Sequence, residues 1–354
     1  MPGALQLPIV DLSSPDRFST ANSISQACID HGFFYLVNHG VDEELVKKVF
    51  EQSSNFFSLP IEDKMKLVQR NHRGYVTLYA GKLDFTSSST KGDSREGFYI
   101  GPLADDLNQW PLEEDLPSWR STMETYYKKA MSVVTELLSL IALSLRLDED
   151  FFEKLGALND PLANMGLLHY PGGLDCSDEE IYGASAHSDF GMITLLATDG
   201  VPGLQICREK TEQPHVWEDV PSMSGAFIVN IGDVMERWTN CLFRSTVHRV
   251  LPPGQERYSV MIHPFMFTSI VISCVIISQV FKHNSCTFVL ESWVLLGTFL
   301  LHVLLTPVAF FANPNKECII ECLESCCSES CPPRFPPIKY IDYMKERMRL
   351  SYGF

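Results

Sequence analysis

The chain has 354 residues, with 44 acidic and 28 basic side chains, a formal charge of −16 and 45% hydrophobic residues. That length supports one large domain or two small ones around a sizeable core. The acidity argues against a nucleic-acid partner, whose phosphates want a basic surface.

The opening stretch, MPGALQLPIVDLSS, has no basic region followed by an apolar run, so no secretory signal and a cytoplasmic location are expected. Residues 20–31 read as a helix and GFFYLVNHG as an apolar strand closed by Gly40. Asp42 is placed to cap the next helix, in which Leu45, Val46, Val49 and Phe50 mark one face and after which Pro60 is a stop. Residues 61–116 are polar and turn-rich, with TSSSTKGDS reading as a mobile loop. The longest helical pattern follows, with Met123, Tyr127, Met131, Val134, Leu138, Ile141 and Leu145 three or four residues apart. From Asn164 the texture changes to short apolar runs between turns: NMGLLHYP, MITLLAT, GLQIC, HVWEDV, GAFIVNIGD, STVHRVL and RYSV. Many short strands at close spacing predict a sandwich or barrel. YIDYMKERMRLSYG near the end is again helical. Helices first and a β-core second predict an α+β fold, with no internal repeat.

ASAHSDFGMITLL holds the chemistry. His187 and Asp189 are two residues apart, so on an extended chain both project to one side. Either could be surface decoration. A second histidine on another strand would turn them into a metal site, and His248 in FRSTVHRVL lies 59 residues beyond Asp189. Taken alone, His248 reads equally as a core histidine. Together, two histidines and one carboxylate match the facial triad of non-haem Fe(II) oxygenases, which leaves the opposite coordination face open. Nine residues beyond His248, Arg257 and Ser259 share a face of RYS. A guanidinium fork beside a hydroxyl suits a carboxylate. A metal next to a carboxylate clamp is what a 2-oxo acid needs.

H-S-D, S-T-V-H-R-V and R-Y-S, in that order, resemble the plant-type 2-oxoglutarate and Fe(II)-dependent dioxygenases, the isopenicillin N synthase-like oxygenases. LPIVDLSS, ACIDHGFFYLVNHGV, FFSLPIEDK, HYPG, PGLQI and NIGDVMERWTN carry the same likeness. It covers residues 5–260 and resumes at about 309. It implies a double-stranded β-helix, or jelly roll, packed on N-terminal and C-terminal helices. It implies Fe(II) held by His187, Asp189 and His248. It also implies 2-oxoglutarate held by Arg257 and Ser259 and reached by Tyr170, with ascorbate as a reductant. The implied reaction hydroxylates or desaturates a small organic molecule, releasing succinate and CO2, in a monomeric enzyme. A relative using ascorbate or O2 alone is the enzymatic alternative. Leu168 stands where many relatives have asparagine, and Cys241 replaces a common glycine, leaving a less favourable Asn-Cys turn. Tyr75, Phe98, Phe190 and Trp238 are candidate pocket residues that read more simply as core.

Two features stand outside the likeness. Cys318, Cys322, Cys326, Cys327 and Cys331 cluster, but without paired C-x-x-C spacing or a nearby histidine, so reduced thiols rather than a metal site are expected. Residues 261–308 separate RYSV from AFFANPN, which the family joins directly. This apolar insert carries only Lys282 and Glu291 as full charges, and its two uncharged runs are marginal membrane-spanning candidates. Its Phe, Leu, Ile, Val, Ser and Cys bias suits translated uridine-rich RNA, such as a retained intron. The expected organisation is therefore an N-terminal region at 1–116, long helix and core at 117–260, insert at 261–308, and last strands with the C-terminal helix at 309–354. If the insert is kept, an inactive or membrane-retained isoform is the non-enzymatic alternative.

Overall fold

The computed structural model describes residues 5–80, 92–104, 106–157, 163–173, 182–212, 214–252, 254–264, 314–315 and 317–352. Most of TSSSTKGDS and nearly all of the apolar insert lie outside the described residues.

Helix α1 (Arg17–Asp30) starts at Asp16, whose carboxylate accepts the Ser19 amide, satisfying one of the four unpaired N–H groups of a helix start. Helix α2 (Glu43–Phe57) begins after Asp42, which occupies the cap position without making the capping bond expected of it. Pro60 opens a short helix, α3 (Ile61–Lys66). Helix α4 (Trp119–Ser144) buries Met123, Tyr127, Val134, Leu138 and Ile141, the stripe its periodicity predicts, while Met131 is only partly covered. Short helices α5 (Phe151–Lys154) and α6 (Asp233–Trp238) and the terminal α7 (Tyr340–Tyr352) are the other α-helices among the described residues.

The strands are β1 (Ile9–Asp11), β2 (Phe33–Val37), β3 (Gly74–Val76), β4 (Glu96–Ile100), β5 (Ala163–Tyr170), β6 (Ala184–His187) and β7 (Ile193–Thr198). They continue with β8 (Leu204–Cys207), β9 (Trp217–Asp219), β10 (Phe227–Ile231), β11 (His248–Val250), β12 (Arg257–Pro264), β13 (Ile319–Ile320) and β14 (Ile338–Lys339). Eight form one sheet in the order β1-β2-β10-β7-β12-β5-β4-β3, and four form a second in the order β6-β11-β8-β9. Alternation assigns the two faces of the large sheet. Phe34, Leu36, Phe98, Leu167 and Val229 turn outward into one core with α1, α2 and α4. Their neighbours Phe33, Tyr35, Tyr99, Leu168 and Ile228 turn inward and meet Ala184, Leu204, Ile206 and Val250 of the small sheet. Burying each large apolar side chain contributes about 1.5–3 kcal/mol. Two facing sheets with helices on the outer side form the jelly-roll α+β architecture that the sequence predicts.

Three details differ from or sharpen the sequence reading. The supposedly irregular stretch before α4 supplies β3 and β4, and every residue of β4 is buried. Strand β12 continues past Val260, so Met261 to Pro264 pair with Gly166 to Ala163 of β5 and belong to the ladder. The Asn-Cys turn keeps left-handed geometry at both residues, Asn240 at φ 52° and Cys241 at φ 65°, with the Leu242 amide closing onto Thr239 O. Asparagine adopts this conformation at lower cost than cysteine does.

The five clustered cysteines are all free. Among the described residues, no helix is long and apolar enough to cross a membrane. The left-handed Cys241 generates a stability prediction. Cys241→Gly should raise unfolding stability by about 1 kcal/mol, measured as a higher urea midpoint at unchanged slope.

Candidate active site

His187 is the last residue of β6, and Asp189 lies just beyond the strand end. His248 opens β11 and pairs directly with His187 across the ladder. The second histidine sought from the sequence is thus the direct neighbour of the first. The imidazole centroids are 4.3 Å apart. Asp189 Oδ1 lies 3.7 Å from His187 Nε2 and 3.6 Å from His248 Nε2. Among the described residues these three form the one group able to offer three ligand atoms within 4.8 Å of one another.

The orientation of each donor has a cause. His187 Nδ1 donates to Ser185 O at 2.7 Å, and His248 Nδ1 donates to Thr246 O at 3.1 Å. A carbonyl can only accept, so each Nδ1 carries a hydrogen and each Nε2 is left to face the space shared with Asp189. Burial, with His248 alongside, pushes His187 down to about 3, which keeps it neutral at ordinary pH. Burial alone would raise Asp189, but the two histidines and hydrogen bonds from Asn230 and Thr194 outweigh it and hold the carboxylate below its usual range. Thr194 Oγ1 and Asn230 Nδ2 both donate to Asp189 Oδ2, at 2.5 and 2.7 Å, leaving Oδ1 toward the histidines. The loop after Asp189 is pinned by the start of α6. Asp233 N donates to Asp189 O and Val234 N to Gly191 O. Gly232 must lack a side chain here, because a Cβ would fall 2.3 Å from Gly191 O.

The same cavity is lined by Tyr170, Arg257 and Ser259 from β5 and β12. Arg257 and Ser259 are each 1% exposed. The Arg257 guanidinium sits 4.8 Å from the Tyr170 ring centre, and its Nε donates to Val201 O at 3.1 Å. Arg257 Nη1 and Ser259 Oγ are buried without any hydrogen-bond partner. Native proteins rarely leave such groups unpaired, at a cost of about 1–3 kcal/mol each. Two orphaned polar groups of one cavity, one on a cation, fit an absent carboxylate, and three ligand atoms converging beside them fit a divalent metal.

Residues 7–118 match the family described as the N-terminal region of non-haem dioxygenases in morphine synthesis, and residues 163–263 match the 2OG-Fe(II) oxygenase superfamily. Azadirone synthase LFS of Melia azedarach is 36% identical over 362 aligned residues, spanning 98% of this chain and 92% of its own. The chain belongs to the 2OG-Fe(II) oxygenase superfamily. Kihadalactone A synthase LFS of Citrus sinensis is similar to the oxygenase at 36% identity, over 97% of this chain and 91% of its own. The fold matches that of a full-length Neurospora crassa protein in complex with alpha-KG and thymine, at a TM-score of 0.75 and 24% identity over 99% of both chains. It also matches JOX2 in complex with 2OG, Fe and JA, at 0.71 and 25% identity, over 97% of this chain and 85% of that one.

Several cavity residues of the oxygenase escape sequence reading: Phe33, Arg95, Tyr99, Thr194 and Asn230. Phe33 meets the His248 ring edge-on at 5.4 Å. Conversely, Tyr75, Phe98 and Trp238 lie in the outer core. Phe190 packs under the Arg347 guanidinium of α7, 4.9 Å away. Leu168, in register with Ser259, contributes an apolar side chain where an asparagine would offer donors.

On the outer face of the same strands lies a buried polar network. Glu96 accepts from Lys64 Nζ at 2.9 Å and from the Tyr75 hydroxyl. His169 links Glu96 at 2.7 Å to Glu256 at 2.8 Å and stacks on Tyr258 at 4.7 Å. Burial works against the Glu96 charge, but His169, Tyr75 and Lys64 outweigh it and hold the carboxyl below its usual 4.5. Its contribution to stability is therefore complete above about pH 4.5 and is lost as pH falls through the lowered value. Glu96→Ala, which strands Lys64 as a buried charge, should cost about 3–5 kcal/mol near neutral pH. Urea unfolding should also show the gap between wild type and Glu96→Gln closing below that pH.

Proposed function

We propose that His187, Asp189 and His248 hold Fe(II), and that Arg257 and Ser259 take the distal carboxylate of 2-oxoglutarate against Tyr170. The observation that carries this reading is the pair of orphaned donors, Arg257 Nη1 and Ser259 Oγ, in the cavity where the three ligand atoms converge. Bound together, iron and 2-oxoglutarate supply O2 activation, with succinate and CO2 as co-products. The chain's own groups set the conditions. Asp189 stays ionised, both histidines present Nε2, and the facing sheets exclude water from the site. The other lining residues mix apolar side chains, among them Phe33, Leu196, Leu204 and Val250, with the polar Arg95, Tyr99, Thr194 and Asn230. This lining suits a small organic substrate that is hydroxylated or desaturated at a C–H bond. A buried clamp for a second carboxylate favours 2-oxoglutarate over the ascorbate-dependent or O2-only alternative. A monomeric, cytoplasmic enzyme is part of this proposal.

We also propose that the apolar segment up to residue 308 is foreign to the working enzyme. In support, the match to the superfamily ends at residue 263 and β12 ends at Pro264. Insertions are tolerated at exposed loop tips, whereas this one follows a central strand. Its apolar runs favour aggregation or capture by a membrane.

Two experiments follow. Arg257→Met should raise the KM for 2-oxoglutarate by at least about 30-fold, as expected for truncating a buried charge pair, with anaerobic Fe(II) affinity unchanged. Equal succinate release by both proteins at low 2-oxoglutarate would refute the assignment. A chain joining Val260 to Ala309 should give more soluble protein and faster succinate release per iron than the full chain. Equal solubility and turnover would show the segment to be harmless.

A further inference from the structure

The strand that carries His187 is the least supported in the site. β6 is an edge of the small sheet, and its register with β11 shifts between the pairs His248–His187 and Val250–Ala184. Among the described residues no ladder joins the small sheet to the large one. Something else must hold β6 in place.

Residues 93–95, immediately before β4, lie along that edge. Asp93 Oδ1 accepts both the Ser185 amide at 3.0 Å and the Ser185 hydroxyl at 2.5 Å. Ser94 donates its amide to Tyr182 O at 2.8 Å and its hydroxyl to the same oxygen at 3.1 Å. The Asp93 carboxylate is fully buried, and Arg95 Nη2 lies 3.7 Å from its Oδ2. Arg95 lines the cavity beside Tyr170. One connected path therefore runs from Tyr170 through Arg95 and Asp93 to Ser185. Ser185 O is the carbonyl that accepts His187 Nδ1–H.

Resting on the assignment of His187 as a metal ligand, we infer that Asp93 is a positioning residue for the metal centre. It holds Ser185 by its amide and its hydroxyl from outside the sheet, and the carbonyl of the same residue fixes the tautomer and the direction of the His187 ring. The residue touches neither metal nor substrate. Its effect passes through one backbone unit, and the acceptor oxygen matters more than the charge. Outer partners of this kind are worth about 10–100-fold in metal affinity.

The test is anaerobic titration of the full-chain apoprotein with Fe(II), and with Mn(II) followed by EPR. Thermal melts of the metal-free proteins serve as the control for folding. Asp93→Ala should weaken both metals about 10-fold or more, while 2-oxoglutarate affinity at saturating metal stays at the wild-type value. Asp93→Asn keeps an oxygen for both Ser185 donors and should stay close to wild type. Wild-type metal affinity in Asp93→Ala overturns the inference. So does a loss in Asp93→Asn equal to that in Asp93→Ala, because the charge pair with Arg95 would then be the cause. If Asp93→Ala does not fold, Ser185→Ala carries the test. It removes one of the two donors and should still weaken metal binding, and unchanged affinity overturns the inference. His187→Ala separates this claim from the one beneath it. Iron retained by His187→Ala defeats the ligand assignment. Iron lost there but kept at full affinity by Asp93→Ala defeats only the role of Asp93.

Discussion

Two backbone carbonyls, Ser185 O and Thr246 O, determine what the centre of this protein can do. Each takes the Nδ1 hydrogen of the imidazole two residues further along. Without those acceptors, neither buried ring has a preferred tautomer, and the Nε2 lone pairs have no common target. The carbonyls are positioned by strands, and the strands by the alternation of apolar side chains on two facing sheets. The proposed metal site of this chain thus depends on ordinary backbone geometry around the paired residues His187 and His248.

The large sheet has different tasks on its two faces. Inward, Arg257 and Ser259 keep polar atoms unpaired in a low-dielectric cavity. That is a local cost, which the anion proposed to bind there would remove. Outward, the buried Glu96, Lys64 and His169 satisfy one another, and His169 reaches on to the exposed Glu256.

Much of this was legible in the sequence, and the boundary of legibility has a physical cause. H-x-D and R-x-S are readable because extended backbone repeats every two residues, so spacing alone reports a shared face. The stripe on α4 is readable for the analogous helical reason. Arg95, Thr194 and Asn230 were not readable. Asn230 reaches Asp189 across 41 residues, Arg95 enters the cavity from just before β4, and Thr194 lies within an apolar run, so local spacing carries no trace of their roles. β4 was missed because EGFYI is short, begins with a glutamate and follows a polar stretch. Its glutamate is buried only because Lys64, Tyr75 and His169 come from elsewhere to meet it. Met261 to Pro264 read as foreign by family pattern, yet an extended apolar segment can fill a ladder whatever its origin, because backbone pairing does not inspect side chains.

The opposed duties of β12 have one more consequence. Arg257 and Ser259 point into the cavity, while Glu256 and Tyr258 engage His169 on the other side. A shift of the strand by a single residue would exchange these sets. It would place an acid where the proposed dicarboxylate would settle, and it would take Glu256 and Tyr258 away from His169 in the same movement. A misthreaded barrel would therefore be both unable to bind and poorly stable. The outer network in this way proofreads the threading of a strand whose working groups it never touches.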